Sequence, residues 1–249
     1  MIVVVPVDPP RAGLVLSSLA EETSLTADAT ASLYEAAVTD VLRAAADSGG
    51  DLLINYRDEE TLPQEYAGDD PESEIRTLAD AALEDVSTVR FERQVGSTRS
   101  ARVGNTVTHL IERENVDGVA VLEPTVPLVR RAEIDSVAMS LRRYDVVLGP
   151  SSAGRTYVAG FTDLLDFTDA YAGPELETLA RRSADADLRL GLAPTLPSVT
   201  SGSGLCSTIA TLEARRVAER LGGETTAALV DELGLEVGAD GSLVVDRDR

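Results

Sequence analysis

Few side chains in this chain could do covalent or metal chemistry. Lysine is absent, so no Schiff base, no lysine nucleophile and no P-loop lysine is available. The single cysteine, Cys206, excludes an intramolecular disulfide and any multi-cysteine metal cluster, and the single histidine, His109, excludes a His-rich metal site. A histidine-based triad would have to use His109, which lies within Val107-Thr108-His109-Leu110-Ile111 and reads as a structural residue of a helix. Cys206 reads as a small apolar helix residue. Carboxylates and guanidinium groups are left. Arg11 and Arg155 could hold an anion through two-pronged contacts, and Arg155, at a strand entrance, could equally pair with a surface acid. Asp8 and Glu123 could together supply a pair of acids, provided that they face one cleft, and Glu123 reads equally as a solvated turn residue.

These residues need elements to position them, and the pattern of apolar runs supplies those. Ile2-Val3-Val4-Val5-Pro6-Val7 is a continuous β-branched run, as in a strand buried on both faces. A Pro/Gly loop from Asp8 to Gly13 follows, then a long helix from about Thr26 with Leu33, Ala37, Val41 and Ala45 at helical spacing. The alternation predicts strands at Leu52 to Tyr56, Val86 to Phe91, Val119 to Leu122 and Asp145 to Leu148. Helices are predicted at Glu72 to Leu83, Val103 to Arg113 and Ile134 to Arg143 between them. Past Gly149 the strand Arg155 to Phe161 follows too closely for an intervening helix, which implies an antiparallel neighbour. A helix from about Pro174, a strand near Leu188 to Leu192 and a helix from Leu205 to Leu221 complete a core of about residues 1–221. Residues 222–249 would add a helix and a hairpin around Asp240-Gly241. The expected fold class is α/β: a single domain over 1–249 with a mixed, mainly parallel sheet flanked by helices. Open sheets of this kind take ligands at the carboxyl ends of their strands, here the loops Asp8 to Gly13, Glu123 to Pro127 and Pro150 to Arg155.

Three further segments have two readings each. Gln94-Val95-Gly96-Ser97-Thr98-Arg99-Ser100 precedes a helix and offers donors for an anion at a helix N-terminus, and a capped loop accounts for the same residues. Ser201-Gly202-Ser203-Gly204 is equally phosphate-compatible or an ordinary loop. The Asp69-Asp70-Pro71-Glu72-Ser73-Glu74 cluster reads as an acidic helix start favoured by the macrodipole, not as a metal site.

Two of the loops also carry a resemblance. Val119 to Pro127, ending Glu-Pro-Thr-Val-Pro, followed by Asp145-Val-Val-Leu-Gly-Pro-Ser-Ser-Ala-Gly-Arg-Thr-Tyr-Val-Ala-Gly-Phe, resembles the paired signature of a family of largely uncharacterised transferases with the glycosyltransferase-A fold. That family is related to nucleotidyltransferases and nucleotide-sugar transferases. The helix Ala31 to Leu42 and the segment Leu192 to Ser201 extend the match over about residues 1–215. The resemblance implies a nucleotide or nucleotide sugar bound by Pro6, Val7, Asp8, Arg11, Thr125 and Arg155, and a Mg²⁺ or Mn²⁺ ion at Glu123. The acidic pattern is altered, however. The family's aspartate in the first signature falls on Leu122, one place before Glu123. Its Asp-Gly-Gly becomes Ala153-Gly154-Arg155, its later acidic segment becomes Ser198-Val199-Thr200-Ser201, and its basic first-loop element is reduced to Arg11. The resemblance therefore implies a nucleotide- or nucleotide-sugar-dependent transferase with an impaired metal site, or else a non-catalytic nucleotide-, anion- or protein-binding relative.

Composition adds the setting. All 22 basic residues are arginines, against 43 Asp and Glu, for a net charge of -21. Such self-repulsion destabilises a compact chain at low ionic strength. It is screened at about 1 M salt, where the Debye length is ~3 Å. A halophilic, haloarchaeal-type acidic surface is expected. The balance argues against nucleic acid or anionic membranes as partners. Met1 leads straight into an apolar strand with no basic region before it, so a cytoplasmic location is expected.

Overall fold

The computed structural model describes residues 1–68 and 70–245; Asp69 of the acidic cluster and residues 246–249 of the expected C-terminal segment lie outside the described residues. β1 (Ile2–Val7) lies inside a seven-stranded sheet. Its run is β-branched apart from Pro6 because both faces are covered. Val3, Val5 and Val7 pack under α2 (Ala27–Ala46), while Ile2 and Val4 join the core of the opposite face. β2 (Asp51–Tyr56), α3 (Pro71–Ala82) and β3 (Arg90–Arg93) extend the sheet to one side. The chain then returns through α4 (Arg99–Thr108) to β4 (Val119–Leu122), on the other side of β1. α5 (Arg131–Ser140), β5 (Val146–Pro150), β6 (Thr156–Phe161), α6 (Glu175–Asp185) and β7 (Leu190–Leu192) follow. The strand order is β3-β2-β1-β4-β6-β5-β7. β1 pairs in parallel with both β2 and β4, whereas β6 is antiparallel to β4 and β5, as its short return predicts.

Several boundaries differ from the sequence expectation, each for a local reason. A short helix, α1 (Ser17–Glu22), precedes α2 and buries Leu19. β3 starts at Arg90, not Val86, because Asp85 accepts from the Ser87 amide at 2.8 Å and turns the chain there. α4 starts at Arg99, not Val103, because the Thr98 side chain accepts from the Ala101 amide at 3.1 Å and caps it. Its last turn widens into a π-helical turn over His109–Arg113, which leaves the His109 side chain exposed beside Glu114.

α7 (Gly202–Val217), α8 (Glu224–Glu232) and the antiparallel hairpin β8 (Leu235–Val237) and β9 (Leu243–Val245) close one end over Leu33, Ala37 and Val199. α8 is tied to α2 by Asp40. Its buried carboxylate accepts from the Thr225 and Thr226 amides at 3.0 and 2.8 Å, capping α8 from another helix. Glycine is required at 204, where a Cβ would stand 2.0 Å from the Ser198 carbonyl oxygen. That close approach presses the 198–200 segment against the helix. Among the described residues no helix is long and apolar enough to cross a membrane.

Candidate functional site

The path of the chain decides where a ligand can enter. From β1 it moves outward through β2 and β3, then returns to β4 on β1's other flank, so connections leave β1 and β4 in opposite directions. The crevice between their carboxyl ends is the switch point at which open α/β sheets bind ligands. A cavity of about 220 Å³ opens there, lined by Pro6 and Asp8 after β1, Glu123 and Thr125 after β4, Arg155 before β6, Arg99 and Arg102 from α4, Tyr34 from α2, and Thr200.

Each lining group has a local cause. The Asp8 amide donates to the buried Tyr34 hydroxyl at 2.9 Å, which fixes the end of β1 against α2. The Asp8 carboxylate lies 3.6 Å from Arg57, and burial, opposed by Arg57, Arg102 and Arg99, raises its pKa. The Glu123 amide donates to the Tyr157 carbonyl at 2.8 Å, carrying the β4–β6 ladder one residue further. Thr125 and Ser198 hydroxyls lie 3.0 Å apart, and the Val199 amide donates to the Thr125 carbonyl, so the 198–200 segment forms one wall. Arg155 follows Ala153 and Gly154, both in the left-handed region at φ 55° and 71°, which lets the chain reverse in a few residues and enter β6 at the rim.

Arg99 links several of these groups. It hydrogen-bonds to Glu123, lies 4.0 Å from Glu175, and stands 5.2 Å over the Tyr171 ring. Burial works against its charge, yet Glu123 and Glu175 outweigh that and hold its pKa above the ordinary value. Its Nε is a buried donor with no hydrogen-bond acceptor among the described residues. Glu175, at the start of α6, accepts from the Thr156 amide at 3.2 Å and is raised in pKa by burial. Arg102 donates through Nε to Gln94 at 2.7 Å and, among the described residues, has no carboxylate ion pair. Burial and the nearby Arg57 and Arg99 lower its pKa, a sign that cations are crowded here.

Of the residues expected from sequence, Pro6, Asp8, Thr125, Arg155 and Glu123 line this cavity together. Asp8 and Glu123 thus meet the condition of facing one cleft. Val7 and Arg11 do not line it. Val7 is wholly buried under α2. Arg11 is drawn away by the acidic first turn of α3, pairing with Glu74 at 2.5 Å and with the Tyr66 carbonyl. Glu123, expected at a metal, is committed to Arg99. Sequence reasoning passed over Arg102, Tyr34 and Glu175. Arg99 and Gln94 belonged to a loop recognised as anion-compatible, and the capping Thr98 was the signal that could have placed both arginines at the rim.

Known structures share this architecture. A candidate nucleotide-diphospho-sugar transferase from Desulfovibrio desulfuricans G20 superposes with a TM-score of 0.73 at 21% identity, over 93% of this chain and 94% of that one. The chain has the nucleotide-diphospho-sugar transferase fold. A cytidylyltransferase from Leptospira borgpetersenii serovar Hardjo-bovis (strain JB197) matches with a TM-score of 0.50 at 8% identity, over 93% of each chain. No protein-family model matches the chain, and no curated protein matches its sequence.

The residues present do not fit a divalent cation. Among the described residues no group of three or more His, Cys, Asp or Glu is gathered to hold one. A cation at Glu123 would sit beside the Arg99 guanidinium. Two unit charges 4 Å apart repel by ~4 kcal/mol near a protein surface, and a divalent ion roughly doubles that.

Proposed function

We propose that this protein binds a nucleotide or nucleotide sugar in the cleft between β1 and β4 and acts as a group transferase on it. One observation carries the reading. In a chain whose arginines mostly face acids, Arg102 and Arg155 line the cavity without carboxylate ion pairs among the described residues. Guanidinium groups so placed are suited to phosphate oxygens. An anion there would relieve the crowding of Arg102 by Arg57 and Arg99 and give the buried Arg99 Nε an acceptor. The fold and the switch-point position support the same reading. What the Desulfovibrio and Leptospira proteins are described as doing makes a nucleotide the first ligand class to try.

The test is a thermal-shift panel of nucleoside triphosphates and nucleotide sugars in about 2 M potassium chloride, where charge repulsion is screened. At least one member is expected to raise Tm. Losing one charged hydrogen bond costs ~1.5–3 kcal/mol, so Arg102→Met is expected to weaken binding by about tenfold or more. A flat panel on folded protein refutes the reading.

Binding without turnover is the second reading, favoured by the commitment of Glu123 to Arg99. Release of pyrophosphate or nucleoside diphosphate from the bound donor supports transfer. Binding with no such release under any acceptor supports the scaffold.

A further inference from the structure

Two carboxylates line the cleft and a third, Glu175, is buried next to it, and a guanidinium stands near each. Asp8 faces Arg57 at 3.6 Å, Glu123 is bonded to Arg99, and Glu175 lies 4.0 Å from the same Arg99 nitrogen. Arg99 is held from several directions: by its helix start at Thr98, by the Tyr171 ring beneath it and by two acids from separate elements, the end of β4 and the start of α6. It sits where a cation shared by Glu123 and Glu175 would sit. Arginine offers fixed positive charge and a planar array of donors, and it needs no free ion. The charge of Glu123, which would otherwise repel a phosphate, is balanced by it, and that of the buried Glu175 is partly offset. Resting on the cleft being the ligand site, we propose that Arg99 is the built-in cation of this protein, and that anionic ligands bind here without a divalent metal.

The test uses the full chain in about 2 M potassium chloride, with Mn²⁺ and inorganic tripolyphosphate as probes. Bound Mn²⁺, counted by electron paramagnetic resonance, is expected to be equal in wild type and Glu123→Gln; loss of one equivalent in the variant overturns the proposal. Tripolyphosphate affinity is expected to be as high in EDTA as with Mg²⁺, and about tenfold or more weaker in Arg99→Met. A tenfold or larger gain from Mg²⁺, or unchanged affinity in folded Arg99→Met, overturns it. Should Arg99→Met not fold, the wild-type comparison of EDTA with Mg²⁺ decides. If wild type takes up neither nucleotide nor tripolyphosphate, the ligand-site reading fails. The Mn²⁺ count still reports separately whether a metal sits at Glu123.

Discussion

Asp8 is held in a position unfavourable to its own charge. Burial raises its pKa above the ordinary value, and Arg57, Arg102 and Arg99 only partly oppose that. A carboxyl whose folded pKa is raised favours the folded state when protonated, so its contribution is present on the acid side and fades as pH rises through the folded value. Glu175 shifts in the same direction by burial. For a phosphate ligand the consequence is direct, because ionised Asp8 repels it and protonated Asp8 does not. Asp8→Asn is expected to bind tripolyphosphate more tightly than wild type at neutral pH, and the gap is expected to narrow toward about pH 5, approaching the carboxylate range. A constant ratio across that range, measured by titration calorimetry, would falsify this role. Asp8, Glu123 and Arg155 were legible in the sequence because each directly follows or precedes an apolar strand run, and Thr125 through the resemblance of its Glu-Pro-Thr-Val-Pro segment. Glu175 was not: its partner Thr156 is reached only through the fold, and an acid at a helix start already has a reason to be there.

At the scale of elements, the same distinction recurs. The strands β1, β2, β4 and β6 were readable because both faces are covered, which leaves mainly apolar runs. The start of α4 was misplaced by four residues because apolar periodicity begins at Val103 while the cap at Thr98 sets the first turn. That turn is polar because it faces the cleft, and it delivers Arg99 and Arg102 there. Helix α8 illustrates a cap that local sequence does not display: its N-terminal amides are satisfied by Asp40 of α2, far away in the chain. Removing that carboxylate leaves donors unpaired in a buried setting, at a cost of about 1–3 kcal/mol. Asp40→Ala is therefore expected to lower the unfolding free energy by that amount in denaturant titration and to speed amide exchange in α8. A loss below about 0.5 kcal/mol, the usual range for a neutral surface change, would show that α8 does not depend on this cap.

The molecule as a whole carries a net charge of -21, and many of its surface arginines are engaged in pairs such as Arg181–Glu177 and Arg216–Asp231. Exposed pairs of this kind contribute ~0–1 kcal/mol each and do not offset the excess of acid. Tm is expected to climb as potassium chloride is raised from about 0.1 M to about 2 M, since screening removes the self-repulsion. A flat or falling Tm would remove the reading of a protein adapted to salt. The reversed direction of β6 has one more consequence. Both ends of the return between β5 and β6 stand on the same rim as the ends of β1 and β4, so the segment 151–155 borders the cleft without belonging to the buried sheet. Substitutions in that short return reshape the rim of the cleft while the buried sheet beneath it stays as it is.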